Sequence, residues 1–366
     1  LSWNVAVETF DLDPGFVDQR INGRLDVVAA SSGRISNGAP VASARISEIS
    51  GTFNDYPVTG SANLAYANSV FTAENAIITI GENRADVTAS FGQHVSLDAT
   101  LSLLKLGQLG LDAVGTLTGD VQLETAPGSL QLAGKLRGID LAWQQYAAKT
   151  LEAGFAMPAA GRGTIDLRLT DARLGNTDIA ESSVSIAGTV ESHTLRANIN
   201  TTGADTELQA RGGVVDRRWS GSLGDIIVSG EPLGEWRLAE AASLVVSAED
   251  IRLDKACLTS TSSSGFVCAE FDREPSGALR FDIALSELPL AALPLVLPQG
   301  TRAAGMIEGA MRGSIVDSVV KADSSVEILD FGLSAVIDEE PVSLAFERAF
   351  ATATVVDNRL NGALEF

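Results

Sequence analysis

Residues 97–103 are Leu97-Asp98-Ala99-Thr100-Leu101-Ser102-Leu103, with an apolar side chain at every second position. Successive side chains of a β-strand point to opposite faces, so this stretch predicts a strand with one apolar and one polar face. The same alternation occurs in residues 87–91, 165–169, 195–199 and 279–285. The sequence therefore predicts an all-β protein.

Turn residues divide the chain at short intervals, for example at Asn37-Gly38, Gly60, Gly92 and Gly134. A turn about every ten residues predicts on the order of 25 to 30 strands, mostly antiparallel because the connections are too short for parallel crossovers. At about 4.8 Å per strand, about 25 strands would form a sheet on the order of 120 Å wide, which does not stay flat. We therefore expect one continuous curled sheet over residues 1–366 that forms an open groove.

The parity of each strand predicts which side chains face this groove. If the sheet curls with its apolar face inward and its interior is not filled by the chain itself, these side chains line a hydrophobic channel. The alternative is that they fill the core of an ordinary β-sandwich. The predicted lining residues are Val87, Ala89, Phe91, Leu97, Ala99, Ile165, Leu167, Leu169, Leu195, Ala197, Ile199, Leu279, Phe281 and Ile283.

The composition restricts the class of ligand. The formal net charge of −21 repels the phosphate backbone of nucleic acids, so we expect no nucleic-acid partner. Hydrophobic residues make up 45% of the chain but aromatic residues only 5%, so the apolar face must be mainly aliphatic. Such a face suits flexible hydrocarbon, such as the acyl chains of phospholipids, better than sugars or bases that stack on rings.

A leucine-rich segment interrupts the strand pattern twice. Residues 98–111 share identities with residues 282–295 in a single register, and the spacing Gly115-x-x-x-Gly119 recurs at Gly305 and Gly309. The pattern predicts internal repeats over residues 95–160 and 279–345. Because Pro289, Pro294 and Pro298 disfavour a long helix in the second copy, we expect one or two short helical or crossover elements lying across the sheet.

The two cysteines flank a serine-rich, turn-like tract. Cys257 and Cys268 lie between stretches with strand character, which favours a hairpin disulfide and an oxidising compartment. The alternative is two unpaired thiols in a reducing compartment. We expect no metal site, because neither histidine is nearby in the sequence and two thiolates do not complete a tetrahedral set.

No constellation of residues indicates catalysis. His94 and His193 are expected on polar faces of strands without catalytic neighbours, so we predict that the protein is not an enzyme and uses no cofactor. We expect Trp143, Trp219 and Trp236 to be buried packing anchors. No apolar run is long enough for a membrane-spanning helix, and we interpret the chain as a segment of a longer protein.

A series of short motifs between residues 235 and 310 resembles the family of the inner-membrane subunit of the bacterial translocation and assembly module, TamB. The motifs are Trp236-Arg237-Leu238, Leu244-Val245-Val246, Ile251-Arg252-Leu253, Ala256-Cys257-Leu258 with Cys268, and Leu288-Pro289-Leu290 with Leu293, Leu297-Pro298, Gly305 and Gly309. The leucine-rich repeat extends a looser resemblance over most of the chain.

The resemblance implies an AsmA-like bridge protein of Gram-negative bacteria: a helix in the inner membrane, a long curled "β-taco" sheet across the periplasm, and an end that engages the outer-membrane barrel partner TamA. This chain would be a mid-periplasmic segment whose groove conducts phospholipid between the membranes. One alternative is an assembly factor that pairs its strand edges with outer-membrane proteins. Another is a purely structural β-scaffold with a filled interior.

Overall fold

The computed structural model describes residues 1–16, 22–36, 39–126, 129–158, 161–292, 301–317, 319–337, 340–356 and 359–365. It confirms the all-β prediction, and neighbouring strands are antiparallel throughout the described pairs. The chain divides into two compact units, unit 1 (Leu1–Gly188) and unit 2 (Thr189–Phe366).

Unit 1 contains strands that follow one another as a meander, each strand paired with the next. A 3₁₀ helix, Pro14–Phe16, follows the first strand, and another, Leu106–Leu109, lies between the seventh and eighth. The strands are β1 (Ser2–Leu12), β2 (Gly23–Ser36), β3 (Ala39–Phe53), β4 (Tyr56–Ala67), β5 (Val70–Ile80), β6 (Asn83–Phe91), β7 (Val95–Leu103), β8 (Ala113–Ala126), β9 (Ser129–Trp143), β10 (Tyr146–Met157), β11 (Gly163–Leu174) and β12 (Thr177–Gly188).

Unit 2 is also a meander, with one irregularity. Its strands are β13 (His193–Thr201), β14 (Asp205–Val215), β15 (Arg218–Gly230), β16 (Gly234–Leu238), β17 (Ala242–Val246), β18 (Ile251–Ser260), β19 (Phe266–Arg273), β20 (Leu279–Pro289), β21 (Arg302–Val316), β22 (Val319–Ile337), β23 (Glu340–Val356) and β24 (Arg359–Glu365), and a 3₁₀ helix, Leu290–Ala292, follows β20. The short strands β16 and β17 both lie between β15 and β18, each covering a different part of their length.

The described residues form 24 strands, slightly fewer than the spacing of turns predicts. The difference arises because several strands are long: β22 alone has 19 residues. The 3₁₀ helices Leu106–Leu109 and Leu290–Ala292 lie where the sequence predicts short helical elements. Residues 293–300, which contain the other two prolines of the second element, lie outside the described residues.

At two glycine sites the backbones of neighbouring segments approach too closely for a side chain. A Cβ atom on Gly119 of β8 would lie 2.0 Å from the carbonyl oxygen of Lys135 on β9. In unit 2, a Cβ atom on Gly221 would lie 2.2 Å from the carbonyl oxygen of Arg211. Only glycine permits this approach, because it has no side chain to displace the carbonyl.

Candidate functional site: an aliphatic face on each unit

The apolar face of unit 1 is built from rows of side chains that lie opposite one another on successive strands. Paired residues of antiparallel strands project from the same face, so the register identifies each row directly. One row contains Ala85, Leu101, Gly119, Leu136, Ala153, Leu167 and Val184, from β6 to β12. A parallel row contains Val87, Ala99, Val121, Gly134, Phe155, Ile165 and Ile186.

The structure places every predicted lining residue of unit 1 on this one face. Val87 and Leu167 belong to the two rows above, and Leu169 belongs to the next row, opposite Leu151. Ala89 pairs with Leu97 in a further row. The full set on this face is Val87, Ala89, Phe91, Leu97, Ala99, Ile165, Leu167 and Leu169.

The predicted lining residues of unit 2 also share one face. Along one row of paired residues, Leu195 of β13 is followed by Ala210, Leu223 and Ala242, so the four side chains project from the same face. Along a second row of paired residues, Phe281 of β20 is followed by Phe271, Leu253 and Leu244. Leu244 projects from the same face of β17 as Ala242. Ala197 and Ile199 follow Leu195 at every second position of β13, and Leu279 and Ile283 flank Phe281 in the same way.

Part of the apolar face of unit 2 is packed. Ala210, Leu223, Ala242 and Leu253 form a buried cluster, and partly buried side chains including Leu195 pack against it. This cluster lies on β17, a strand of five residues, and on the strands around it, of which β15 and β18 pair directly with β17.

Part of the apolar face is accessible. The chain of 38.1 kDa exposes 22916 Å². Two compact globular proteins of half this mass would together expose roughly 17,000 Å², so the chain exposes more surface than two ordinary globular domains would. On the apolar face of unit 1, Phe91 is 48% and Ile165 38% exposed, Ala89 is 5% exposed, and the other predicted lining side chains are half-buried. The face thus offers a hydrocarbon ligand a partly accessible surface.

Lys105 and the helix Leu106–Leu109, together called the strap below, lie at the end of the apolar face in unit 1. Asn83, which is 2% exposed, donates from Nδ2 to the carbonyl oxygens of Lys105 (2.9 Å) and Ile80 (3.1 Å). Its Oδ1 accepts from the backbone N–H of Lys105 at 2.9 Å, and Gln108 accepts from the N–H of Glu82 at 2.8 Å. These bonds hold the helix Leu106–Leu109 against the β5–β6 turn, with Leu106 buried.

Unit 2 has a helix at the corresponding point of the predicted repeat. Leu290 in the helix Leu290–Ala292 is buried, as Leu106 is in unit 1. Gly115 and Gly305, which follow the two helices, both have positive φ angles, 106° and 137°. The two segments therefore share a buried leucine and a left-handed glycine, in the order in which the repeat places them.

The Cys257–Cys268 disulfide is present, and it links β18 to β19. Cys257 and Cys268 are directly paired but alternate with Leu258 and Val267 of the apolar face, so the bond lies on the other face of the sheet. The serine-rich turn that it closes packs against Trp236: a Cβ atom on Gly265 would lie 3.0 Å from the indole ring.

The tryptophans differ from the prediction at one position. Trp236 is 2% exposed and donates its indole N–H to the carbonyl of Leu233 at 2.8 Å, and Trp219 packs against the buried cluster, so both are anchors. Trp143 is 52% exposed and stacks on Tyr146, with ring centroids 6.0 Å apart. The prediction that Trp143 is buried is wrong, because it ends β9 at a turn where no further strand covers it.

The expected position of His193 on a polar face is also wrong. His193 lies opposite Gly212 and two residues before Leu195, on the apolar face of unit 2. It is half-buried, its Nε2 accepts the indole N–H of Trp219 at 2.9 Å, and its Nδ1 lies 3.0 Å from the carbonyl of Thr189. His94 lies exposed in the turn between β6 and β7.

The polar face of unit 1 carries charged side chains in furrows. A furrow of about 670 Å³ runs across β8 to β12 between two rows of polar side chains that include Asp120, Lys135, Glu152 and Arg168. Arg168 is paired with Glu181 across β11 and β12. On β6, Arg84 donates to both oxygens of Asp86 (2.7 and 2.8 Å), and these bonds lower the pKa of that carboxyl. Charged side chains of the polar face thus form salt bridges with one another while they stay exposed to solvent.

Within the described residues, no group of three or more histidine, cysteine, aspartate or glutamate side chains could hold a metal ion. None of the helical segments in the described ranges has the length and hydropathy that a membrane crossing requires.

A comparison with protein families matches residues 1–366 to the model of the TamB N-terminal domain. The chain belongs to the TamB N-terminal domain family. Comparisons with curated proteins and with solved structures find no match. In this chain each of the two units is a β-meander with one apolar face.

Proposed function

We propose that the aliphatic faces of the two units bind the acyl chains of phospholipids, and that the chain is a periplasmic segment of a bridge that conducts these lipids between the inner and outer membranes. One observation supports the proposal: aliphatic side chains project from the same face of successive strands in each unit, and part of that face, such as Ile165, is accessible. Membership of the TamB N-terminal domain family supports a location in a protein tethered to the inner membrane, with TamA as the outer-membrane partner.

The physical chemistry of the face suits this ligand. Each methylene group that leaves water contributes about 0.8 kcal/mol, so two acyl chains would be held strongly while the headgroup stays in water. Rows of aliphatic side chains give a hydrocarbon similar contacts at each position, which permits sliding along the row. The polar face, with its salt bridges, stays in the solvent.

Native mass spectrometry of the purified chain, followed by solvent extraction, tests the proposal. We expect phospholipid at a reproducible stoichiometry, and loss of it in Leu167→Asp and Ile199→Asp variants that remain folded. Thr164→Asp and Asn200→Asp are matched controls, because each adds the same side chain to the polar face of the same strand. A folded wild-type chain that takes up no lipid from phosphatidylethanolamine vesicles would contradict the proposal and favour pairing of strand edges with outer-membrane proteins.

A further inference from the structure

Glycines on the apolar faces are covered by large side chains from neighbouring positions. Gly134 of β9 lies opposite Phe155, and a Cβ atom on Gly134 would lie 2.4 Å from the carbonyl oxygen of Asp120 and 2.7 Å from Cζ of that ring. Gly33 lies opposite Trp3, and the corresponding distance to the indole ring is 2.1 Å. In unit 2, Phe281 lies across Gly313 in the same way, at 2.7 Å.

Two glycines away from the apolar face, Gly154 and Gly332, have no large side chain over them. Gly154 of β10 pairs with Lys135 and Asp166 on the polar face, and a Cβ atom there would have no neighbour within 4 Å. A Cβ atom on Gly332 would reach only the methyl group of Ala304, at 3.9 Å. The overlap between glycine and a large side chain is therefore a property of the apolar face.

Large and small residues also alternate from strand to strand along one row of unit 1. In the row from Ala85 to Leu167, the leucines of β7, β9 and β11 alternate with alanine or glycine on β6, β8 and β10. Each leucine or phenylalanine can incline over the small residue beside it rather than project from the sheet. Consistent with this, Cδ2 of Leu136 would lie 3.0 Å from a Cβ atom on Gly119.

We propose that each glycine covered by a large neighbouring side chain keeps that side chain close to the sheet, so that the apolar face is even. These glycines would then determine whether an acyl chain can lie along a row of side chains and slide along it. This inference rests on the proposed function. A hydrocarbon chain gains dispersion contacts only where the surface beneath it is continuous, and a projecting side chain would lift it away on both sides. The glycines are thus positioning residues for a hydrocarbon ligand, which no catalytic or polar signature reveals.

Gly138 of β9 offers the sharpest test. It has no positive φ angle, and the three atoms nearest to a Cβ on it all belong to the side chain of Leu141. A Gly138→Leu substitution therefore places two leucine side chains in the space of one without meeting the backbone. Gly154→Leu is the matched control on the polar face of the adjacent strand. In the double variant Gly138→Leu/Leu141→Gly, one leucine again occupies this space.

The experiment measures phospholipid bound per chain by native mass spectrometry, and the rate at which the chain transfers a fluorescent phosphatidylethanolamine between vesicles. Circular dichroism and urea unfolding of every variant establish which of them are folded. We expect Gly138→Leu to lower both quantities at least about twofold through overpacking, Gly154→Leu to match the wild type, and the double variant to recover.

The outcomes separate the two proposals. A wild-type chain without lipid contradicts the proposed function itself. A wild-type chain that binds lipid, beside a folded Gly138→Leu variant that binds and transfers equally well, overturns the role of the glycines alone. If Gly138→Leu does not fold, the double variant decides: recovery of folding with normal transfer supports the inference, and folding without transfer overturns it.

Discussion

Trp219 donates its indole N–H to Nε2 of His193, 2.9 Å away, and so fixes the imidazole between β13 and β15. The opposite ring nitrogen, Nδ1, lies 3.0 Å from the carbonyl of Thr189, which can only accept. His193 therefore donates from Nδ1 and accepts at Nε2, as a neutral imidazole does. The same indole ring lies over Gly212 of β14 and Gly221 of β15. Through His193 and these two glycines, Trp219 therefore contacts each of the first three strands of unit 2.

Replacement of His193 by phenylalanine should destabilise unit 2. The ring volume is retained, but the indole N–H of Trp219 and the carbonyl of Thr189 lose their partner. We expect the free energy of unfolding to fall by about 1–3 kcal/mol, measured by urea denaturation with tryptophan fluorescence. His94→Phe, in an exposed turn, should unfold as the wild type does. Equal stability of the two variants would show that the His193 contact contributes nothing.

Asn83→Leu should release the strap of unit 1. The substitution preserves the side-chain size but leaves the backbone N–H and carbonyl of Lys105 without the amide that satisfies them. We expect a loss of about 2–4 kcal/mol in stability and faster trypsin cleavage after Lys105. Asn63→Leu, at an exposed position of β4, is the control and should leave this cleavage slow. Unchanged cleavage in Asn83→Leu would mean that the strap is held by Leu106 alone.

The Cys257–Cys268 bond should stabilise unit 2 even though it lies away from the apolar face. It closes a short hairpin, with a sequence separation of 11. For a loop of this length the restricted unfolded chain predicts about 3 kcal/mol. The double variant Cys257→Ala/Cys268→Ala should therefore unfold at lower urea, and dithiothreitol should lower the midpoint of the wild type but not of the variant. If dithiothreitol lowered the urea midpoint of the double variant as well, the effect would not come from this disulfide.

Much of the fold follows from the sequence because alternation and turn spacing depend on local rules. The parity of residues 165–169 predicts one face for Ile165, Leu167 and Leu169, and the register confirms it. The rule fails where a residue inside a strand adopts a left-handed conformation. Asp171 has a φ of 45°, and Ala172, which strict alternation places on the polar face, is 3% exposed. Nothing in the pattern around Asp171 signals this change.

The candidate site shows a second limit of the sequence. Its aliphatic residues are evident from their spacing, whereas the polar residues on the same face are not. Asn83 and His193 look like ordinary polar positions of a strand, and only partners distant in the sequence, Lys105 for Asn83 and Trp219 for His193, allow them on the apolar face. Which part of the face is packed and which is accessible also depends on non-local contacts, such as those around β17.

The packed and accessible parts of the apolar face should respond differently to a charge. Leu195 is half-buried and packs against the buried cluster of unit 2, so Leu195→Asp places a carboxylate against apolar side chains. Leu167 is also half-buried but belongs to no such cluster, and Ile165, two residues away on the same face, is 38% exposed, so a carboxylate at Leu167 lies closer to solvent. We expect Leu195→Asp to lower the free energy of unfolding by at least about 3 kcal/mol and Leu167→Asp by about 1 kcal/mol.

Urea unfolding of both variants measures this difference, with Arg196→Asp and Thr164→Asp as controls on the polar faces of β13 and β11. A large loss at Leu195 beside a small one at Leu167 would show that the face of unit 1 is open around Leu167 and that the cluster around β17 is a structural core. Equal and large losses would show that the face of unit 1 is a closed core in solution, and a closed core leaves no surface for an acyl chain.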